Sequence, residues 1–207
     1  DEDSFDGTRA PCDRHAYPDL RALFRGVELR APSLQGTLPI LVVHNKYNRE
    51  WTFGRPVNFL GPAVLDEIFS VLGGQYRIVY IRHGMGRAEE ESYAADQNRP
   101  LAGLGDEEVL ARHPKVLNFD TLFAEHVAAG GKPDLNLFKN GLYARCWHFI
   151  SAQGGGSYQC AYFSGALLMI LHRAGIEHTW PYHGYFRWLA DPPVQLAIPM
   201  KDVQLMR

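Results

Sequence analysis

The chain has 207 residues, 46% hydrophobic and 21% charged, with a formal net charge of -2 and a pI near 6.5. Those values fit one soluble globular domain with an appended segment, large enough to bury a core without disulfides or metal. The slightly acidic balance excludes non-specific nucleic-acid binding, which needs a basic face, although a local basic pocket stays open. No apolar run reaches the roughly 18 residues that a membrane span needs.

Residues 1–36 are rich in Asp, Arg, Pro and Gly and lack clear periodicity. They read as an arm or linker packed on the main domain, with a short helix over PDLRALF (18–24). The opening DEDSFDG has no initiator methionine. It fits a trimmed chain or a piece of a longer one, and is neither a signal peptide nor an anchor.

From residue 37 the rhythm changes to that of a folded domain ending at 207. LPILVV (38–43) has the length and β-branched content of a buried strand. PAVLDEIFSVLGG (62–74) reads as a helix with proline in its first turn and a glycine stop. YRIVYIR (76–82) is a second strand. A long polar loop leads to GDEEVLARHP (105–114), a short helix with acidic first-turn residues, halted before Pro114. KVLNF (115–119) is a third strand, and DTLFAEHVAAGG (120–131) a helix with Asp120 as candidate N-cap. DLNLFKNGLYARC (134–146) is an amphipathic helix, WHFIS (147–151) a fourth strand and SYQCAYFSG the helix after it. ALLMILHR (166–173) is a fifth strand and VQLAIPM (194–200) a sixth.

This alternation predicts a three-layer α/β/α domain with a mainly parallel sheet of about six strands. Such sheets bind ligands beyond the strand C-termini, near the reversal of strand order. The loops that follow strands therefore hold the candidate residues. After the first strand come His44, Lys46, Arg49, Glu50, Trp51 and Phe53; after the second, Arg82, His83 and Arg87. Lys46, Arg49, Arg82 and Arg87 could together balance a diphosphate, although loop cations taken singly are as often simply solvated. Trp51 and Phe53 fit a base-stacking face and a hydrophobic lid equally well.

The most informative stretch follows the fourth strand: Gln153, Gly154, Gly155, Gly156 and Ser157. A buried strand, a bare turn and a helix start offer N–H groups to an anion, usually a phosphate. A plain βα connection has the same outline but seldom needs three glycines, each costly in unfolded-chain entropy.

Several familiar chemistries lose weight. The G-x-G-x-x-G fingerprint fails at Glu89 after Gly84 and Gly86, and at Gln159 after the glycine run. Neither a P-loop nor a G-x-S-x-G elbow is present. The histidines show no HxxxH or HExxH spacing, and no CxxC pair exists, so no metal site is expected. His148, inside an apolar strand, reads as a satisfied core histidine. Cys12, Cys146 and Cys160 are odd in number and widely spaced, which favours reduced thiols and a cytoplasmic location. Cys160 lies within a helix pattern, away from the start where a thiol would be activated.

The strand-loop-helix series, the QGGGSYQCAYFSG turn and helix, and Arg173-Ala174-Gly175-Ile176-Glu177 one strand later resemble the nucleotide-sugar-binding, Rossmann-like half of a GT-B-type glycosyltransferase. The resemblance covers residues 38 to 200 or so. It implies that the glycine turn faces the donor diphosphate and that Glu177 holds ribose or sugar hydroxyls. It also implies a nucleoside diphosphate-sugar donor, a carbohydrate acceptor and no other cofactor. A GT-B enzyme has two such domains and this chain has room for one, so a second domain would be missing, or the enzyme would be a compact variant. Donor binding then falls to Lys46, Arg49, Arg82, Gln153, Gly154, Gly155, Gly156, Ser157 and Glu177. These donors would stabilise a leaving group that is already a stable dianion, so metal-independent transfer is expected. The acceptor hydroxyl needs a base, for which His44 and Asp96 are candidates beside Glu50, His83 and Glu89–Glu91; a solvated loop is the simpler account of that last run. Two other classes stay open: a non-catalytic nucleotide- or carbohydrate-binding module, and another α/β enzyme acting on sugar phosphates.

Overall fold

Apolar runs too long for one-sided strands make a sheet that must be covered on both faces. The structure, a computed structural model, describes residues 19–49, 55–82, 101–172 and 191–199. Six strands form one sheet: β1 (Ile40–Asn45), β2 (Arg77–Arg82), β3 (Leu117–Asn118), β4 (His148–Ala152), β5 (Leu167–His172) and β6 (Val194–Pro199). Their order is β3-β2-β1-β4-β5-β6, and every pairing is parallel. The domain is a Rossmann-like α/β fold.

Side chains alternate across the pleat, so each strand feeds two cores. On one face Leu41, Val43, Ile78 and Ile150 pack with Leu65, Ile68 and Phe69 of α2 (Pro62–Leu72) and Val109 of α3 (Asp106–Arg112). On the other, Val42, Val79, Phe149 and Leu168 meet Leu122 of α4 (Phe119–Ala128), Phe138 and Leu142 of α5 (Leu135–Ala144), and Cys160 of α6 (Gly155–Ala161). Each such side chain stabilises the fold by about 1.5–3 kcal/mol relative to exposure. The first face carries on past β4 with Leu167, Val194 and Leu196 exposed. They line an apolar groove of about 330 Å³ with Tyr76 and His148, at the N-terminal ends of β4, β5 and β6.

The described part of the arm lies on the second face. α1 (Leu20–Phe24) packs on α5, and Ala31 joins the core. Arg21 fixes this contact: its guanidinium donates to the carbonyls of Ala144, Cys146 and Ser164 and stacks 3.7 Å from the centre of the Trp147 ring. A buried guanidinium needs several acceptors, and the end of α5 and the turn after α6 supply them.

Three local expectations change. The N-cap of α4 is Asn118, not Asp120: its Oδ1 accepts from the amides of Asp120 and Thr121 at 2.8 and 3.1 Å. The strand expected over 115–119 is only Leu117–Asn118, and it ends there because α4 starts at Phe119 with Asn118 as its cap. The helix after β4 begins at Gly155, inside the glycine run, and ends at Ala161. His148 is only half-buried, stacked edge-on against Tyr76, and its Nδ1 makes no hydrogen bond, so it is not a satisfied core histidine.

Candidate functional site

β1 and β4 are sheet neighbours, with His44 paired to Ser151. The chain leaves β1 towards β2 and leaves β4 towards β5, in opposite directions along the sheet. Their C-terminal ends therefore border the crevice where strand order reverses, the place at which open α/β sheets take ligands. Lys46 follows β1 directly, and the glycine turn follows β4 directly.

The three glycines of this turn have different duties. Gly154 has φ +145, a conformation that side chains rarely tolerate, and a Cβ there would sit 3.0 Å from Nζ and 3.2 Å from Cε of Lys46. The lysine stem thus runs along bare backbone. A Cβ on Gly156 would run into the His44 imidazole, so that glycine exists to let the β1 histidine pack under α6. A Cβ on Gly155 would meet nothing within 4 Å, and the residue is exposed. No contact within the described protein requires a glycine at 155.

The flanking residues turn inward. Ser157 is fully buried; its hydroxyl donates to the Gly154 carbonyl at 2.6 Å and accepts from the Gly154 amide at 3.3 Å. The Ser157 amide also bonds the Gly154 carbonyl, at 3.0 Å. The expectation that all amides from Gly154 to Ser157 face a ligand is corrected: these two serve the cap, and the amides of Gly155 and Gly156 remain as first-turn donors. Gln153 is buried, and its amide bonds the Leu171 carbonyl across to β5 at 3.0 Å. Its backbone thus continues the β4–β5 ladder.

Arg82 is also corrected as a donor-binding cation. Its side chain is buried and forked onto Asp106, with Nε 2.5 Å from Oδ2 and Nη2 3.0 Å from Oδ1. A guanidinium this deep must be paired, and the paired state leaves it no reach into the crevice. Asp106 also accepts from the Tyr80 hydroxyl at 2.7 Å, and that hydroxyl accepts from Asn45 Nδ2 at 2.9 Å. Burial first, then the Asp106 charge, raise the Tyr80 pKa and keep it a proton donor. Sequence reading missed Asn45, Tyr80 and Asp106. One signal was present: a polar residue closes each of two apolar strands, Asn45 and Arg82, and the register pairs them.

His44 lies at 5% exposure with its ring against Gly156, so it props the turn from below. Arg49 is exposed on the loop after β1. Asp96 and Glu177 lie outside the described residues, as do Glu50, Trp51, Phe53, His83, Arg87 and Glu89–Glu91. The structure thus brings together Lys46, His44 and the glycine turn.

Among the described residues no three His, Cys, Asp or Glu side chains gather as metal ligands, and no helix is long and apolar enough to cross a membrane. Cys146 and Cys160 are buried free thiols. Burial pushes the Cys146 pKa up to about 12 and raises that of Cys160, against the pattern of a nucleophile. Comparison with protein-family models, curated proteins and solved structures found no match.

Proposed function

We propose that the chain binds a nucleoside diphosphate-sugar at the crevice between β1 and β4 and passes the sugar to a hydroxyl acceptor, as the donor-binding half of a GT-B-type glycosyltransferase does. One observation carries the reading. A Cβ on Gly155 would meet no heavy atom within 4 Å, and the residue stands exposed beside Gly154, along which Lys46 lies. Bare backbone that the described fold does not need lets a phosphate approach to hydrogen-bond distance.

The Gly155 and Gly156 amides and the Lys46 ammonium stabilise the pyrophosphate. They matter most as the sugar–oxygen bond breaks and charge collects on the leaving diphosphate. The bond forms to the acceptor oxygen, whose proton passes to a base. His44 is spoken for by its packing on Gly156. Asp96 is a candidate for that role, as are Glu50 and His83, and Glu177 is the candidate for the donor's hydroxyls.

Thermal melting with UDP-, GDP- and CMP-linked sugars tests this reading. A true donor at a hundred times its Kd should stabilise the fold by about 2.7 kcal/mol, a rise in Tm of roughly 5–10 °C, with slow release of the free nucleotide. Stabilisation without turnover would leave a binding module. No response to any of the three would remove the donor site.

A further inference from the structure

We propose that Asn45, Tyr80, Asp106 and Arg82 form a positioning network that fixes Lys46 along the glycine turn; the inference rests on the anion site described above. The chain leaves the sheet after Asn45 and comes back beside that residue at Leu60, just before α2. One side chain holds both ends of that excursion. Asn45 Oδ1 accepts from the amides of Lys46 and Leu60 at 2.9 and 2.8 Å, and Nδ2 donates to the Leu60 carbonyl and the Tyr80 hydroxyl at 3.0 and 2.9 Å. The amide's hydrogen-bonding capacity is thereby filled, which fixes its orientation.

The network then returns to the loop by a second route. Tyr80 donates to Asp106, and Asp106 grips Arg82 in a fork. Arg82 Nη1 donates to the Leu101 carbonyl at 3.2 Å, and the Leu101 amide donates to the Tyr47 carbonyl at 2.7 Å. Lys46 thus stands between two tethered neighbours, with its own amide tied as well. Asn45 and Asp106 are fully buried, Tyr80 likewise and Arg82 nearly so. An apolar cluster of equal volume would stabilise this corner at least as well as a buried ion pair. What the polar version adds is a fixed geometry for the loop root, and the group it aims is Lys46, the cation that lies along Gly154.

A double-mutant cycle on the full chain tests this, with inorganic pyrophosphate as ligand in titration calorimetry. Tyr80→Phe keeps the ring packed edge-on to Phe69 and deletes only the hydroxyl that links Asn45 to Asp106. Lys46→Met should weaken binding tenfold or more, and Tyr80→Phe about three- to tenfold. In the Lys46→Met background Tyr80→Phe should weaken it no further, while lowering the melting temperature by the same amount in both backgrounds. Faster amide hydrogen exchange at Lys46 and Leu60 in Tyr80→Phe, with β2 still protected, is the second expected result. Fold-losses that multiply, or unchanged exchange at those amides, would show a merely structural network and overturn the inference alone. Wild-type protein that ignores pyrophosphate, or Lys46→Met that binds it equally well, would overturn the anion site and the inference with it.

Discussion

Gly154, Gly155 and Gly156 look alike in the sequence and are unlike in the structure. Gly156 makes room for a ring that arrives from β1. Gly156→Ala should therefore destabilise by about 1–3 kcal/mol through overpacking, and His44→Ala in the same chain should recover most of that loss. Urea unfolding of the two single variants and the double variant checks the pair; equal losses in Gly156→Ala with and without His44 would contradict the contact. The thiols give a second residue-scale expectation. The folded Cys146 pKa, about 12, lies above the unfolded thiol value of about 8.5. The contribution is complete below the unfolded value and is lost as the pH rises towards the folded one. The urea midpoint should fall between roughly pH 8.5 and 12, and Cys146→Val should flatten that fall. The duties of the glycines were not legible from the glycines themselves, because the partners His44 and Lys46 come from the end of β1 and the residue after it, far away in the sequence.

At the scale of elements, the sequence was read well where one rule acted alone. Continuous apolar runs gave β1, β2, β4, β5 and β6, and Pro62 opened α2 as proline at a first turn should. Reading failed where two rules competed for one residue. Asn118 is both the last residue of β3 and the cap of α4, and capping shortened the strand. Removing that cap with Asn118→Ala should cost about 1 kcal/mol in urea unfolding, whereas Asp120→Ala should cost a few tenths at most. A larger loss at Asp120 would restore the original N-cap assignment. Arg82 shows the same competition. A cation after a strand reads as a ligand for phosphate, yet the nearest carboxylate, brought by the first turn of α3, claimed it. Charge on a helix start can serve the helix, a ligand or a buried partner, and only the fold decides among them.

At the scale of the whole molecule, alternation of strands and helices made a parallel three-layer sheet legible, but not the order of its strands. That order comes from pairings between β1 and β4, which are far apart in the chain, and it puts the strand reversal beside the glycine turn. The donor site proposed here depends on that coincidence of topology with Gly155. The most direct measurement is a calorimetric titration of UDP and GDP into the wild-type chain and into Gly155→Val. A Cβ at this position meets no heavy atom within 4 Å and the residue is exposed, so the variant should fold as the parent does. The parent should bind one nucleotide saturably, and Gly155→Val should lose at least tenfold in affinity, equivalent to about 1.4 kcal/mol. Equal affinity in the two proteins, or a parent that binds neither diphosphate, would contradict the donor site.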